Sequence, residues 1–191
     1  MTSWVALVVP GGGYGPLGAA LRIPVLALEG SGAEALVVSY PARTADPDEP
    51  WWSELRDSVA RQVASAVTQA QRVTFVAKSL GTKALASLDS EALAGKEVDA
   101  IWLTPLFGEP EVRSGAIELG WRSLLVAGQA DAYHEPDHHE AVRDALSAAS
   151  VVLPGADHRL EVAGDALATV AGLRQLAEAV TEFVGEQVRS P

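Results

Sequence analysis

The chain has 191 residues and a net charge of −11, from 25 acidic and 14 basic side chains, and it contains no cysteine. A chain this acidic lacks the basic face that nucleic acids and anionic membranes require, so neither is expected as a partner. Without cysteine, disulfides, thiolate nucleophiles and cysteine-ligated metals are excluded.

Strand and helix patterns alternate through the first half of the chain. Apolar, β-branched runs predict strands, and apolar residues at helical spacing predict helices. In chain order the predicted elements are a strand at 5–9, a helix at 17–28, a strand at 35–40, a long helix from Trp51 and a strand at 73–76. A glycine-rich loop, 11–15, follows the first strand, and a polar, proline-rich loop, 42–50, follows the second. The long helix has a predicted buried stripe made up of Trp52, Leu55, Val59, Val63 and Val67.

The second half continues the alternation and defines the fold class. The predicted elements are a helix at 82–94, a strand at 98–103, a short helix from Pro110, a strand at 122–127, a helix at 136–146, a strand at 151–153 and a C-terminal helix marked by apolar residues from Val162 to Val184. This order predicts a single α/β domain over residues 1–191, with a doubly wound, mostly parallel sheet of about six strands. Helices flank the sheet, and the length leaves no room for a cap domain. In such a sheet the ligand binds beyond the carboxyl ends of the strands.

The N-terminus predicts neither secretion nor membrane insertion. It lacks the basic region of a secretory signal, and no apolar run in the chain approaches the ~20 residues of a membrane span. We therefore expect a cytoplasmic protein, and the sequence leaves open whether it forms a homodimer.

The stretch from Ala77 to Gly81 has the pattern of a nucleophile elbow, in which a serine occupies a sharp turn between a strand and a helix. The turn forces the serine into a strained conformation and brings the residues two before and two after it close together, so both must be small. Here they are Ala77 and Gly81. A serine between small residues also occurs in ordinary tight turns, but this context makes Ser79 a candidate nucleophile.

Two hypotheses compete for the glycine-rich loop. Residues 13–18 fit G-x-G-x-x-G after a strand and before a helix, a pattern typical of dinucleotide binding. That fold also requires an acidic residue at the end of the second strand, where this chain has Tyr40. The alternative is an oxyanion hole, formed by the backbone N–H of Gly12 or Gly13 and that of Leu80.

An aspartate and a histidine complete a pattern that begins with the serine. Asp131 follows the strand at 122–127, within Gly-Gln-Ala-Asp, and His158 follows the strand at 151–153, within Gly-Ala-Asp-His. Serine, aspartate and histidine thus appear in this chain order, each just beyond the carboxyl end of a predicted strand. Asp157 neighbours the histidine in sequence and is predicted to be a turn or surface residue.

These three motifs resemble the α/β-hydrolase superfamily, in particular its small, lidless serine hydrolases related to dienelactone hydrolases. The resemblance covers most of the chain, from Trp4 to Val184. It implies that Ser79 is the nucleophile, that His158 is the general base and that Asp131 orients the histidine. It also implies a small-molecule carboxylic ester or thioester substrate, an acyl-enzyme intermediate and no cofactor.

The chain departs from this family at three points. Its elbow begins with Ala77 instead of glycine, which the geometry tolerates, and Pro10 stands where many esterases carry histidine. Dienelactone hydrolases use a cysteine nucleophile, so their substrate is not carried over. A catalytically silent α/β-hydrolase fold, with Ser79 and His158 too far apart to hydrogen-bond, is the alternative from a different class.

Several further side chains fall near the predicted site. Tyr14, Phe107 and Tyr133 are candidates for lining the substrate pocket. Lys78, which flanks the elbow, is expected to be structural or to face solvent, and modulation of the site is the alternative. The three neighbouring histidines could suggest a metal, but no third ligand accompanies the i, i+4 pair, so a solvated helix start is predicted for them: His134, His138 and His139.

Overall fold

The computed structural model describes residues 3–41 and 49–188, so most of the predicted loop at 42–50 lies outside the described residues. Six strands form one parallel sheet in the order β2-β1-β3-β4-β5-β6. They are β1 (Trp4–Val9), β2 (Glu34–Val37), β3 (Arg72–Lys78), β4 (Glu97–Leu103), β5 (Arg122–Gly128) and β6 (Ala149–Leu153).

Helices connect the strands and cover both faces of the sheet. They are α1 (Ala19–Gly30), α2 (Glu49–Ala66), α3 (Leu80–Ala86), α4 (Pro110–Leu119), α5 (Pro136–Leu146) and α6 (Ala166–Val188), with a 3₁₀ turn at Ser90–Leu93. The predicted fold class, a doubly wound α/β sheet without a cap domain, is confirmed.

Two hydrophobic cores lie on opposite faces of the sheet. Leu7 and Phe75 belong to the core under α2, α3, α4 and α5, whereas Val8 and Val76 belong to the core under α1 and α6. Because successive residues of a strand point to opposite faces, strands buried on both sides are apolar throughout. This explains the continuous apolar runs of β1, β3, β4 and β5.

The buried stripe of α2 begins at Trp51, and its prediction at Trp52 is wrong. Trp51 is buried with Leu55, Val59 and Val63, which gives a regular four-residue spacing. Trp52 is only partly buried and lies beneath the ammonium group of Lys83. The two tryptophans are adjacent, so either could start the stripe when the sequence alone is read.

The helix predicted at 82–94 is shorter than expected. α3 ends at Ala86, and a separate 3₁₀ turn covers Ser90–Leu93. The carboxylate of Asp89 accepts a hydrogen bond from Glu91 N at 3.0 Å and so caps that turn. Aspartate side chains compete with the helix for backbone groups in this way, and here the competition ends the helix early.

His139 is a core residue, so the predicted solvated helix start is wrong for this histidine. Its side chain is 3% exposed, and its Nε2 is hydrogen-bonded to Ser150 Oγ at 2.8 Å. The ring also packs against Phe107 and His134. Burial lowers the pKa of His139 to about 4, with smaller effects from the charges of His134 and Arg143.

Two glycines inside helices provide a matched test of the helix packing. A Cβ on Gly115 of α4 would overlap the carbonyl oxygen of Ala86 in α3, whereas a Cβ on Gly185 of α6 would meet no described atom within 4 Å. Gly115→Ala should lower the free energy of unfolding by roughly 1–3 kcal/mol because the two helices must separate. Gly185→Ala should raise it by up to ~1 kcal/mol through helix propensity. Urea unfolding measures both, and equal effects would contradict the close packing of α3 on α4.

Burial of neutral His139 predicts a loss of stability in acid. Its pKa is lower in the folded chain than in the unfolded chain, so below about pH 6.5 the unfolded state binds the extra proton. Stability should therefore fall as the pH falls from 6.5 towards 4, by up to ~3 kcal/mol from this residue. Unfolding experiments across this range should show a shallower decline in His139→Gln than in the wild type. An identical pH dependence in both proteins would contradict the assignment.

Candidate active site

Ser79 lies in a strained turn between β3 and α3. Its φ of 50° and ψ of −115° fall outside the regions that residues with a side chain normally adopt. Two neighbours hold the turn: Ser79 N donates to Leu103 O at the end of β4, at 3.1 Å, and Thr82 N donates to Ser79 O at 2.8 Å. The elbow is therefore fixed both by the sheet and by the first turn of α3.

The small residue two positions after the serine, Gly81, makes room for a neighbouring strand. A Cβ on Gly81 would overlap the backbone of Val9 and Pro10 at the end of β1. The glycine at this position therefore lets the first turn of α3 pack directly against the end of β1. On the other side, a Cβ on Gly11 would be 3.4 Å from Ser79 Cβ, so the glycine-rich loop passes directly beside the serine.

Ser79, His158 and Asp131 form a continuous chain of hydrogen bonds. His158 Nε2 is 2.7 Å from Ser79 Oγ, and His158 Nδ1 is 2.8 Å from Asp131 Oδ2. The other carboxylate oxygen, Oδ1, accepts a hydrogen bond from Tyr133 N at 2.9 Å. A carboxylate can only accept, so Nδ1 of a neutral imidazole carries the proton and Nε2 is free to accept from the serine.

Close loop packing brings the aspartate and the histidine together. A Cβ on Gly128, the last residue of β5, would overlap the carbonyl oxygen of Ala156 in the loop after β6. Ala130 N also donates to Ala156 O at 2.8 Å, which joins the two loops. Asp157 accepts hydrogen bonds from Arg159 N and Glu161 N, as expected of a turn residue.

The electrostatic surroundings favour the ionised form of Asp131. Its side chain is almost completely buried, and burial raises the pKa of its carboxyl group. Hydrogen bonds from His158 and Tyr133 N, together with the charges of His158 and Lys78, outweigh this effect and hold the pKa below its usual value. A charged carboxylate in this position both orients the imidazole and stabilises its protonated form.

Lys78 is buried and does not face solvent. The residue is 1% exposed, and its Nζ donates to Thr104 Oγ1 at 2.8 Å and to the carbonyl oxygen of His158 at 2.6 Å. Burial lowers the pKa of Lys78 to about 8, although the carboxylates of Asp131 and Asp157 act in the opposite direction.

Of two small cavities near this edge of the sheet, the first is lined by members of the hydrogen-bonded chain and the second by Tyr133, whose ring contacts His158. The first has a volume of about 160 Å³ and is lined by Gly11, Gly12, Gly13, Tyr14, Lys78, Ser79, His158 and Arg159. The second, of about 270 Å³, is lined by Leu106, Gly108, Glu109, Ala132, Tyr133 and Glu135. A larger hollow of about 620 Å³ runs along α6, but its lining includes none of the candidate site residues.

Two of the three candidate pocket residues reach these cavities. Tyr14 lines the first cavity, and Tyr133 lines the second with its ring 4.9 Å from the ring of His158. Phe107 is buried in the core against Trp102 and lines neither of these two cavities. The preceding residue, Leu106, lines the second cavity in its place.

The glycine-rich loop is packed around Tyr14. The Tyr14 hydroxyl accepts a hydrogen bond from Ala20 N in the first turn of α1, at 3.0 Å. A Cβ on Gly18 would overlap the tyrosine ring, so the ring covers the G-x-G-x-x-G segment where a nucleotide phosphate would have to bind. Gly12 and Gly13, the candidate oxyanion residues, line the cavity beside Ser79, and Leu80 is the first residue of α3.

The described part of the chain offers neither a cluster of metal ligands nor a membrane-spanning helix. Within residues 3–41 and 49–188, no group of three or more histidine, aspartate and glutamate side chains is arranged to hold a metal ion. Over the same ranges, every helix is too short or too polar to span a bilayer.

No protein-family model and no curated protein matches the chain. Solved structures do match it, among them Est1E from Butyrivibrio proteoclasticus with bound ferulic acid (15% identity, TM-score 0.72, covering 99% of this chain and 91% of that one). A lidless α/β serine hydrolase from Xanthomonas campestris matches with 15% identity and a TM-score of 0.65, covering 100% and 85% of the two chains. Thermogutta terrifontis esterase 2, phosphorylated by paraoxon, matches with 16% identity and a TM-score of 0.62, covering 95% and 82%. At these identities the likeness shows the fold, and the chain has the α/β-hydrolase fold in its lidless form, as its motifs predicted.

Proposed function

We propose that this protein is a serine hydrolase that cleaves a small carboxylic ester or thioester through an acyl-enzyme intermediate. One observation carries the proposal: Ser79, His158 and Asp131 are joined by hydrogen bonds of 2.7 and 2.8 Å, with the serine at a strained elbow. A serine hydroxyl is too weakly acidic to attack unaided, and this is the arrangement that activates it. The likeness in fold to proteins named as esterases supports the same conclusion.

In the proposed acylation step, Ser79 Oγ attacks the carbonyl carbon while His158 Nε2 takes the hydroxyl proton. Asp131 stabilises the imidazolium that forms. The tetrahedral oxyanion accepts hydrogen bonds from the backbone N–H of Leu80 and of Gly12 or Gly13, each contributing roughly 3 kcal/mol. The bond to the leaving alcohol or thiol then breaks, and His158 returns the proton to that group.

Deacylation repeats these roles with water as the attacking group. His158 Nε2 accepts a proton from water, the resulting hydroxide attacks the acyl carbon, and the bond to Ser79 Oγ breaks. The serine recovers its proton from the imidazolium, and a carboxylic acid leaves. No step requires a cofactor.

The size of the site favours a small substrate. The cavity lined by Ser79 and His158 has a volume of about 160 Å³, and the cavity lined by Tyr133 has a volume of about 270 Å³. Both are below the ~300–1,000 Å³ of sites that enclose a drug-sized ligand. We infer that one small acyl group enters, or that the exposed end of a larger molecule does. A screen of chromogenic esters that differ in acyl-chain length would measure which length the protein prefers.

The two alternatives receive less support. A silent fold would need Ser79 and His158 to be out of hydrogen-bond range, and they are 2.7 Å apart. A dinucleotide site would need a carboxylate at the end of β2 and an open glycine loop, whereas Tyr14 fills that loop. A cytoplasmic location, a homodimer and kinship with dienelactone hydrolases remain predictions from sequence.

The proposal predicts covalent labelling of one serine. A fluorophosphonate probe should modify Ser79 in the folded protein, since only an activated hydroxyl displaces fluoride. Labelling, followed by mass spectrometry of the modified peptide, should vanish in Ser79→Ala and fall by at least ~10³-fold in His158→Ala.

The matched control is Ser87→Ala, which removes an exposed serine at the end of α3. This variant should be labelled as fast as the wild type. A folded wild type that resists the probe would refute the proposed function.

Asp131 should govern the rate through the tautomer of His158. Asp131→Asn replaces one acceptor oxygen by a donor, which favours the wrong imidazole tautomer, and kcat on a short-chain ester should fall by about 10⁴-fold. Asp157→Asn is the control because its remaining oxygen can still accept the hydrogen bonds of its turn, and its kcat should stay close to that of the wild type. Equal losses in the two variants would contradict the role of Asp131.

A further inference from the structure

Lys78, the residue before the candidate nucleophile, is a buried cation for which the proposed mechanism has no step. Within the described residues it is the only lysine or arginine that is buried. Removing an ammonium group from water costs several kcal/mol, and the hydrogen bonds of its Nζ are to two neutral oxygens. A cation held this way beside a reactive serine is typical of a functional site.

The two hydrogen bonds of Lys78 connect three separate parts of the site. Lys78 ends β3, Thr104 follows β4, and His158 lies in the loop after β6. In the sheet, β6 lies three strands away from β3. The lysine therefore ties the main chain of the candidate base to the elbow across the edge of the sheet.

This tie has no substitute among the described hydrogen bonds. The loop after β6 is joined to the loop after β5 through Ala156, and Asp157 stabilises its own turn. Between this loop and residues 77–82, the described hydrogen bonds are those of His158 with Ser79 and with Lys78. The first of these must break and re-form during catalysis, whereas the second can persist.

The residues around Lys78 shield its ammonium group from water, and its charge interacts with the carboxylate of Asp131. The ring of Tyr14 lies 4.8 Å from Lys78 Nζ and is itself anchored to α1. The charged groups that act on Lys78 are the carboxylates of Asp131 and Asp157 and the guanidinium of Arg159. The positive charge of Lys78 in turn favours the ionised form of Asp131.

We propose that Lys78 is a positioning residue, whose ammonium group holds the main chain of His158 so that Nε2 stays within proton-transfer distance of Ser79. The expected loss of kcat rests on the proposed function. The expected change in the position of His158 rests on geometry alone. The lysine forms no bond with the substrate in this scheme. Its effect is exerted entirely through the histidine.

The kinetic test compares Lys78 with Lys83, which lies in the helix that follows the elbow. Lys78→Met keeps the length of the side chain but removes the charge and the donors, and kcat on a short-chain ester should fall by about 100-fold with little change in KM. Lys78→Gln retains a neutral donor and should lose less. Lys83→Met makes the same chemical change on a partly exposed side chain of α3 and should keep the wild-type kcat.

Two further measurements separate positioning from a merely structural role. By proton NMR, the downfield resonance of the His158 Nδ1–H that is hydrogen-bonded to Asp131 should shift and exchange faster with water in Lys78→Met, but not in Lys83→Met. In the wild type, kcat should decline above about pH 8 as Lys78 loses its proton, and this decline should be absent in Lys78→Met.

The outcomes are distinguishable from a failure of the proposed function. Wild-type kcat and an unchanged His158 resonance in Lys78→Met would overturn the inference. A wild type that resists fluorophosphonate would refute the hydrolase, yet the NMR comparison would still decide the role of Lys78. Should Lys78→Met fail to fold, Lys78→Leu, which also lacks a donor, replaces it, and a full kcat with an unshifted resonance in that variant would equally overturn the inference.

Discussion

The candidate site depends on one backbone contact, in which the loop after β6 passes directly against Gly128 at the end of β5. A side chain at this residue would overlap the carbonyl oxygen of Ala156, so the two loops could not approach each other. The same contact contains the hydrogen bond from Ala130 N to Ala156 O, so it also satisfies main-chain groups. As a result His158 lies within 2.8 Å of Asp131, although the two residues follow different strands.

A second constraint keeps the serine in its strained conformation. A non-glycine residue at positive φ costs of order 1–3 kcal/mol and persists only when its surroundings fix it. Ser79 is fixed because α3 is held between β1, where Gly81 meets Val9, and α4, where Gly115 meets Ala86. Both contacts require glycine, so the strain at the elbow is supported by packing on either side of the helix.

The sequence was sufficient to predict the sheet, the elbow motif and the three residues that the fold brings together. Buried parallel strands have continuous apolar runs, and their carboxyl ends share one edge, so the chain order of motifs carries spatial information. Choices between adjacent residues were not predictable: Trp51 or Trp52 could start the stripe of α2, and Phe107 or Leu106 could face the cavity. The burial of Lys78 depends on a loop 80 residues further along the chain, so no local pattern could reveal it.

The exposure of Tyr133 determines how open the candidate site is beside His158. Its ring packs edge-on against the imidazole of His158, yet 60% of the residue remains open to solvent. This side of the imidazole is therefore covered by a ring that itself faces the solution. If the proposed acyl-enzyme forms, a small dissolved alcohol or amine would compete with water for the acyl group from the same open side.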